Sequence, residues 1–281
     1  MFRKNLYVWG IGVVLLAGCS LLPAEKETKA PVPVKHIVVI PEPPKDLSAF
    51  GRLKSSIEAT KKELGYHYEI KGTQVYKDNP NSPVTFQSTG VETFTPYTQQ
   101  FELQYSGLRE KIWTVGETTY TQSNTGKIEK MPYVQGDAHG SPTEIIRRLQ
   151  LMSDHIQSGT VPKEVVQMKE EGESIELTIQ ADQVASLREM IEGIERKRSK
   201  IDPPEVQVEK TEVKQYQVKI WISKQSEKIE RLSVLQELYT PSTYGPISFT
   251  QTTEVTVKEP FVGSIQVPAE IQTQAKSVTA N

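Results

Sequence analysis

Cys19 is the only cysteine among the 281 residues, so its thiol has no partner in the chain for a disulfide or a thiolate metal site. A lone thiol can still act as a nucleophile or carry a covalent group. Other groups able to do chemistry are scattered. His36, His67, His139 and His155 never fall at a spacing that places two imidazoles on one helix face, so no metal site is expected. Gly136-Asp137-Ala138-His139-Gly140-Ser141 is the most suggestive local run. A hydrolase nucleophile, however, needs a Gly-x-Ser-x-Gly elbow between strand and helix, and Ser141 is better used as a helix cap. Carboxylates interleave with lysine, as in Lys169-Glu170-Glu171, which reads as a solvated face. Spacing alone leaves paired-acid catalysis open. There is no glycine loop for phosphate. The expectation is a protein that is not an enzyme and needs no cofactor.

The surroundings of Cys19 give its thiol a specific use. Arg3 and Lys4 precede a short apolar run, Leu6 to Leu16, too short for a span that needs roughly 20 apolar residues. A charged head, a short apolar stretch and small residues form the layout of a secretory signal. The run closes in Leu16-Ala17-Gly18-Cys19, which resembles the bacterial lipobox. There the cysteine receives a diacylglyceryl group and becomes the first mature residue. The rival reading is an uncleaved N-terminal membrane anchor. On the first reading residues 1–18 are a signal peptide and Cys19 is the lipidation site. The membrane is then the first partner, and the location is extracytoplasmic. Two acyl chains anchor stably, at about 0.8 kcal/mol per buried methylene.

Charge excludes other partners. Loss of Arg3 and Lys4 reduces 33 Lys and Arg to 31 against 35 Asp and Glu, a net charge near −4. No basic stripe is visible, so neither nucleic acid nor an anionic lipid surface is an expected partner. Length allows one or two domains.

The elements follow from periodicity. Residues 19–45 read as a tether, since Pro23, Pro31, Pro33, Pro41, Pro43 and Pro44 favour extended chain. Within it Ile37-Val38-Val39-Ile40 reads either as an edge strand or as an apolar extended segment. Asp46 is the expected cap of a first helix with Phe50, Leu53, Ile57 and Leu64 on one face, and Gly65 its C-terminal cap. A period of two starts at Tyr66, with further strands expected at 84–95, 99–106, 110–115 and 117–122. Ser141-Pro142-Thr143-Glu144 opens a second helix over 141–158, with Ile145, Leu149, Met152 and Ile156 on one face. A hairpin at 164–180 and a third helix capped by Asp182 follow, the latter with Val184, Leu187, Ile191 and Ile194 aligned. From Tyr216 to Val257 apolar and polar residues alternate, which predicts strands with one wet face. The chain after Pro268 reads as a polar tail, its last residues at 277–281. The sum is a single α+β domain over 46–276, a curved antiparallel sheet whose concave face is covered by helices. Tyr66, Tyr68, Phe86, Phe94, Phe101, Tyr105, Trp113 and Tyr120 fall on strands, either as sheet core or as the lining of an apolar cavity.

This order of elements resembles the LolA/LppX lipoprotein-sorting superfamily, in its uncharacterised Gram-positive branch. Three stretches carry the likeness. They are Ile112–Tyr120 continuing through Gly126–Pro132, the long strands over 213–239, and Gly263-Ser264-Ile265-Gln266-Val267-Pro268-Ala269-Glu270-Ile271. Ile128 stands where the family has tryptophan. The resemblance implies an unclosed β-barrel with helices as a lid and an apolar cavity between them that takes a lipid or acyl chain. On this chain the lining of such a cavity would be Phe50, Leu53, Ile57, Leu149, Met152, Leu187 and Ile191. The expected function is a membrane-anchored, apolar-ligand-binding lipoprotein of the cell envelope. The alternative is an envelope protein-interaction or sensor module with a solid core and no ligand.

Overall fold

The computed structural model describes residues 46–133, 141–198, 210–243 and 245–277. The expected signal segment, Cys19 and the proline-rich stretch lie outside the described residues, as do His36 and His139.

Among the described residues twelve strands form one sheet. In chain order they are β1 (Gly65–Tyr76), β2 (Val84–Phe94), β3 (Tyr97–Tyr105), β4 (Leu108–Val115), β5 (Thr118–Ser123), β6 (Ile128–Pro132), β7 (Val166–Glu171), β8 (Ser174–Gln180), β9 (Glu212–Ser223), β10 (Ile229–Thr240), β11 (Ile247–Pro260) and β12 (Lys276–Ser277). Their spatial order is β12-β6-β5-β4-β3-β2-β1-β11-β10-β9-β8-β7. Every neighbouring pair is antiparallel except β12 with β6. The edge strands β7 and β12 do not pair with each other, so the curved sheet stays open as an unclosed barrel. This is the expected α+β class.

Four α-helices accompany it: α1 (Ala49–Lys61), α2 (Pro142–Gln157), α3 (Ala185–Arg198) and α4 (Ala269–Gln274). The first three supply apolar faces to one side of the sheet, here called inner. Tyr68 and Ile70 of β1, Val255 of β11, Leu232 of β10 and Ile220 of β9 meet Leu53, Leu149, Met152, Leu187 and Ile191 in one core. Each such fully buried aliphatic side chain contributes about 1.5–3 kcal/mol. Alternation along each strand turns the polar set outward, as with Glu69, Lys71 and Thr73 on β1.

Local signals were right about where helices start but not always about which atom does the capping. Ser48, not Asp46, caps α1, its Oγ accepting from the Gly51 N–H at 3.1 Å. Asp46 instead accepts from the Ser48 N–H at 3.0 Å, one step further out. Gly65 opens β1 rather than closing α1, and Leu64 is exposed. Asp182 sits in a 3-10 turn, Ala181–Gln183, and its Oδ1 accepts from the Tyr216 N–H on β9 at 3.0 Å. A backbone donor from another element outbid the local one. The stretch after Pro268 is ordered: α4 and β12 follow it, and Ile271 is buried. Val267 and Ile271 cover Trp113 on the outer face of β4, with Val115, Tyr120 and Ile128 packed around them. That small second cluster is why a polar-looking tail holds a fixed place.

Candidate functional site

The helices leave part of the inner face open. Register places Phe86, Tyr105 and Leu108 in one cross-strand row on β2, β3 and β4. The next row is Ser88, Leu103, Glu110 and Ser123. Gln74 of β1 and Gln251 of β11 are paired on the same face. A groove of about 350 Å³ lies over these residues, lined by Gln74, Phe86, Leu103, Tyr105, Leu108, Glu110 and Gln251. That volume falls within the range of about 300–1,000 Å³ typical of small-ligand sites, as does an apolar lining with a few polar groups. Tyr105 is 38% exposed and Leu108 56%, which makes the rim of the groove an accessible apolar surface. Its floor is set by a glycine. A Cβ on Gly72 would stand 2.0 Å from Cζ of Phe86, so only glycine lets that ring lie across β1. Phe86 also packs against the main core, so groove and core are contiguous.

Gln251 also lines a smaller void of about 30 Å³ against α2, with Glu144, Ile145, Arg148, Tyr216, Val234, Gln236 and Thr253. It is water-sized. Arg148 is the charged centre there. Its Nη1 donates to Glu195 Oε1 at 2.8 Å and to the Tyr216 hydroxyl at 3.3 Å, and its Nε donates to Glu144 Oε1 at 3.2 Å. Burial alone would lower the Arg148 pKa, but Tyr216, Glu195 and Glu144 around it outweigh that and raise it. Burial pushes the Tyr216 hydroxyl up. The cluster joins α2, α3 and β9 through one guanidinium shared by two carboxylates and a hydroxyl, with Arg147 as a second cation on Glu144 at 2.8 Å.

A second buried polar group marks the start of α2. Ser141 caps the helix as its sequence predicts, Oγ accepting from the Glu144 N–H at 3.3 Å. Glu92 of β2 adds a carboxylate to the same end, with Oε1 accepting from the Thr143 N–H at 2.6 Å. Glu92 is fully buried. Burial pushes its carboxyl up to about 7, opposed by hydrogen bonds from Thr143 and Ser141 and assisted by Glu144. Beside it Gln99 Nε2 donates to the Tyr68 hydroxyl at 2.8 Å, and the Tyr97 hydroxyl donates to Gln99 Oε1 at 3.0 Å. Glu92 therefore ties β2 to the N-terminus of α2.

A larger depression of about 800 Å³ lies toward the outer face, against Lys71, Thr73, Thr85, Gln87, Gln104 and Arg109 among others. Its lining is mostly polar and bears charges of both signs, as suits the wet side of a sheet. Phe86, Tyr105 and Leu108 line both depressions, which therefore meet at the β3–β4 hairpin. Among the described residues no group of three or more His, Cys, Asp or Glu could hold a metal. No helix of the described residues is long and apolar enough to cross a membrane.

Phe50, Leu53, Ile57, Leu149, Met152, Leu187 and Ile191 are brought together, all between 0% and 7% exposed, as the helix layer of the main core. The three cavities above are lined by other residues. Of the aromatic residues singled out in sequence, Phe86 and Tyr105 line the groove. Tyr66 and Tyr68 are buried, and Trp113 and Tyr120 belong to the outer cluster. Leu103, Leu108, Glu110, Gln74 and Gln251 went unnoticed in sequence. Alternation already set Phe101, Leu103 and Tyr105 on one face of β3. What alternation does not tell is how far the helices extend over that face.

No protein-family model matches the chain, and no curated protein matches it. Among solved structures, Rv2717c from M. tuberculosis is 12% identical with a TM-score of 0.23, covering 76% of this chain and 100% of its own. A LolA superfamily protein from Nitrosomonas europaea is 7% identical with a TM-score of 0.25, covering 80% of this chain and 97% of its own.

Proposed function

We propose that the chain is an extracytoplasmic lipoprotein, anchored through Cys19, that holds an apolar ligand such as an acyl chain against the inner face of its sheet. The groove between Phe86, Leu103, Tyr105 and Leu108 carries this reading. It is largely apolar, reachable from solvent and continuous with the core through Phe86. A chain lying along the β2–β4 row would bury the exposed faces of Tyr105 and Leu108, a gain of about 25 cal/mol per Å² covered. In this reading the ligand points toward the sheet–helix junction at Gln251. Phe50, Leu53, Ile57, Leu149, Met152, Leu187 and Ile191 then form the packed apolar layer behind it.

The anchor rests on Leu16-Ala17-Gly18-Cys19 and the segment before it. The test of ligand binding is a titration of the full-length chain, stripped of co-purifying lipid, with a pyrene-labelled long-chain alcohol. Saturable fluorescence enhancement, lost on Leu103→Trp, is the expected result. The packed core favours the alternative reading, an envelope interaction module without ligand. Absence of any saturable uptake by the folded protein would decide for it.

A further inference from the structure

The groove has one charged side chain in its lining, and that charge is unanswered. Glu110 on β4 is half-buried. Its cross-strand neighbours on the inner face are Leu103 of β3 and Ser123 of β5. Along β4 itself the next residues on that face are Leu108 and Ile112. Among the described residues its carboxylate has neither an ion pair nor a hydrogen bond. The basic residues beside it in sequence turn to the other face, where Arg109 Nε pairs with Glu102 at 3.1 Å. Elsewhere near the inner face Glu144 and Glu195 are met by Arg148 and Glu129 by Lys127 at 2.8 Å, while Glu92 is held by the Thr143 N–H.

Resting on the ligand reading above, we infer that the ligand of the groove is an amphiphile with a cationic, amine-bearing head, whose charge is met by Glu110 while its chain lies on Phe86, Leu103, Tyr105 and Leu108. The remaining polar lining, Gln74 and Gln251, offers neutral amides that solvate a head group of either sign, so Glu110 alone sets the preference. An unpaired carboxylate flanked by Leu103 and Leu108 gains by meeting a cation and loses by meeting an anion, because the apolar surroundings weaken solvent screening. Attraction for one head and repulsion of the other act together. An amine should therefore bind about tenfold more tightly than a carboxylate on the same chain.

The experiment is displacement of the pyrene-labelled alcohol from the full-length chain at neutral pH. Dodecylamine, dodecanol and dodecanoate compete, each below its micelle concentration. The expected order of affinity is amine, then alcohol, then carboxylate. Glu110→Gln should bring the three to within about twofold, and Glu110→Lys should invert the order of amine and carboxylate. Equal affinity for amine and carboxylate in the unaltered protein would overturn the head-group assignment and leave the ligand reading standing. So would a preference that survives Glu110→Gln. No uptake of the labelled alcohol would remove the ligand reading itself, and the head-group assignment with it.

Discussion

The N–H of Thr143, in the first turn of α2, donates to Oε1 of Glu92 on β2 at 2.6 Å. A carboxylate from the middle of the sheet thus helps hold α2 against it. Anions are favoured at helix N-termini, yet Glu92 stands where no solvent reaches it. These opposing effects leave its carboxyl at about 7.

Stability should depend on pH through this group. Below the ordinary range near 4.5 the carboxyl is protonated whether the chain is folded or not, and ionisation adds no cost to burial. As pH rises further, the unfolded chain ionises Glu92 while the folded chain keeps its proton, so stability falls until about 7. Above that both forms are ionised and the loss stops, at a total on the order of 3 kcal/mol. Glu92→Gln is neutral at every pH and still accepts from Thr143. Urea midpoints of the two proteins, compared between pH 5 and pH 8, should diverge as pH rises, with the variant flatter. Parallel profiles would show that Glu92 is not the titrating group.

Arg148→Met should be strongly destabilising. It removes the guanidinium that Glu144 and Glu195 share inside the core, where they are 5% and 2% exposed, while Arg147 still pairs with Glu144 at 2.8 Å. Loss of one member of such a cluster costs about 3–5 kcal/mol. Guanidinium unfolding gives the number. A change under 1 kcal/mol would mean that water reaches these carboxylates freely.

Core and groove should separate by mutation. Leu53→Ala removes a fully buried side chain and should cost about 2–5 kcal/mol, with little effect on probe affinity in the protein that remains folded. Leu108→Glu alters an exposed rim position and should change stability by less than about 0.5 kcal/mol, while weakening uptake. Reversal of this pattern would move the ligand from the groove into the helix layer.

Gly72→Val should displace Phe86, since even a Cβ at that position would collide with its ring. Expected are a lower melting temperature and loss of groove binding together. Simultaneous Phe86→Ala should recover part of the stability and none of the binding.

Cys19→Ser should abolish incorporation of labelled palmitate and release the protein from the membrane fraction. Equal labelling of the two proteins would place any lipid elsewhere.

Sequence by itself determined the elements and their faces. Strand alternation from Tyr216 to Val257 and the aligned apolar residues of α1, α2 and α3 correspond to the observed inner face, because period and burial are properties of the local chain. It also determined the Ser141 cap, whose donor and acceptor lie three residues apart. It did not determine the partners of Asp46 and Asp182, since a side chain with several backbone donors in reach takes the one that tertiary contact brings nearest. Nor did it reveal that α4 and β12 are ordered, because the Trp113 surface that holds Ile271 is distant in sequence. The groove belongs wholly to the tertiary structure. Leu53 and Leu103 both lie on inward faces, and one is sealed while the other is open. Which of them is covered depends on how much of the sheet three helices can reach, a matter of packing between elements that no local pattern encodes.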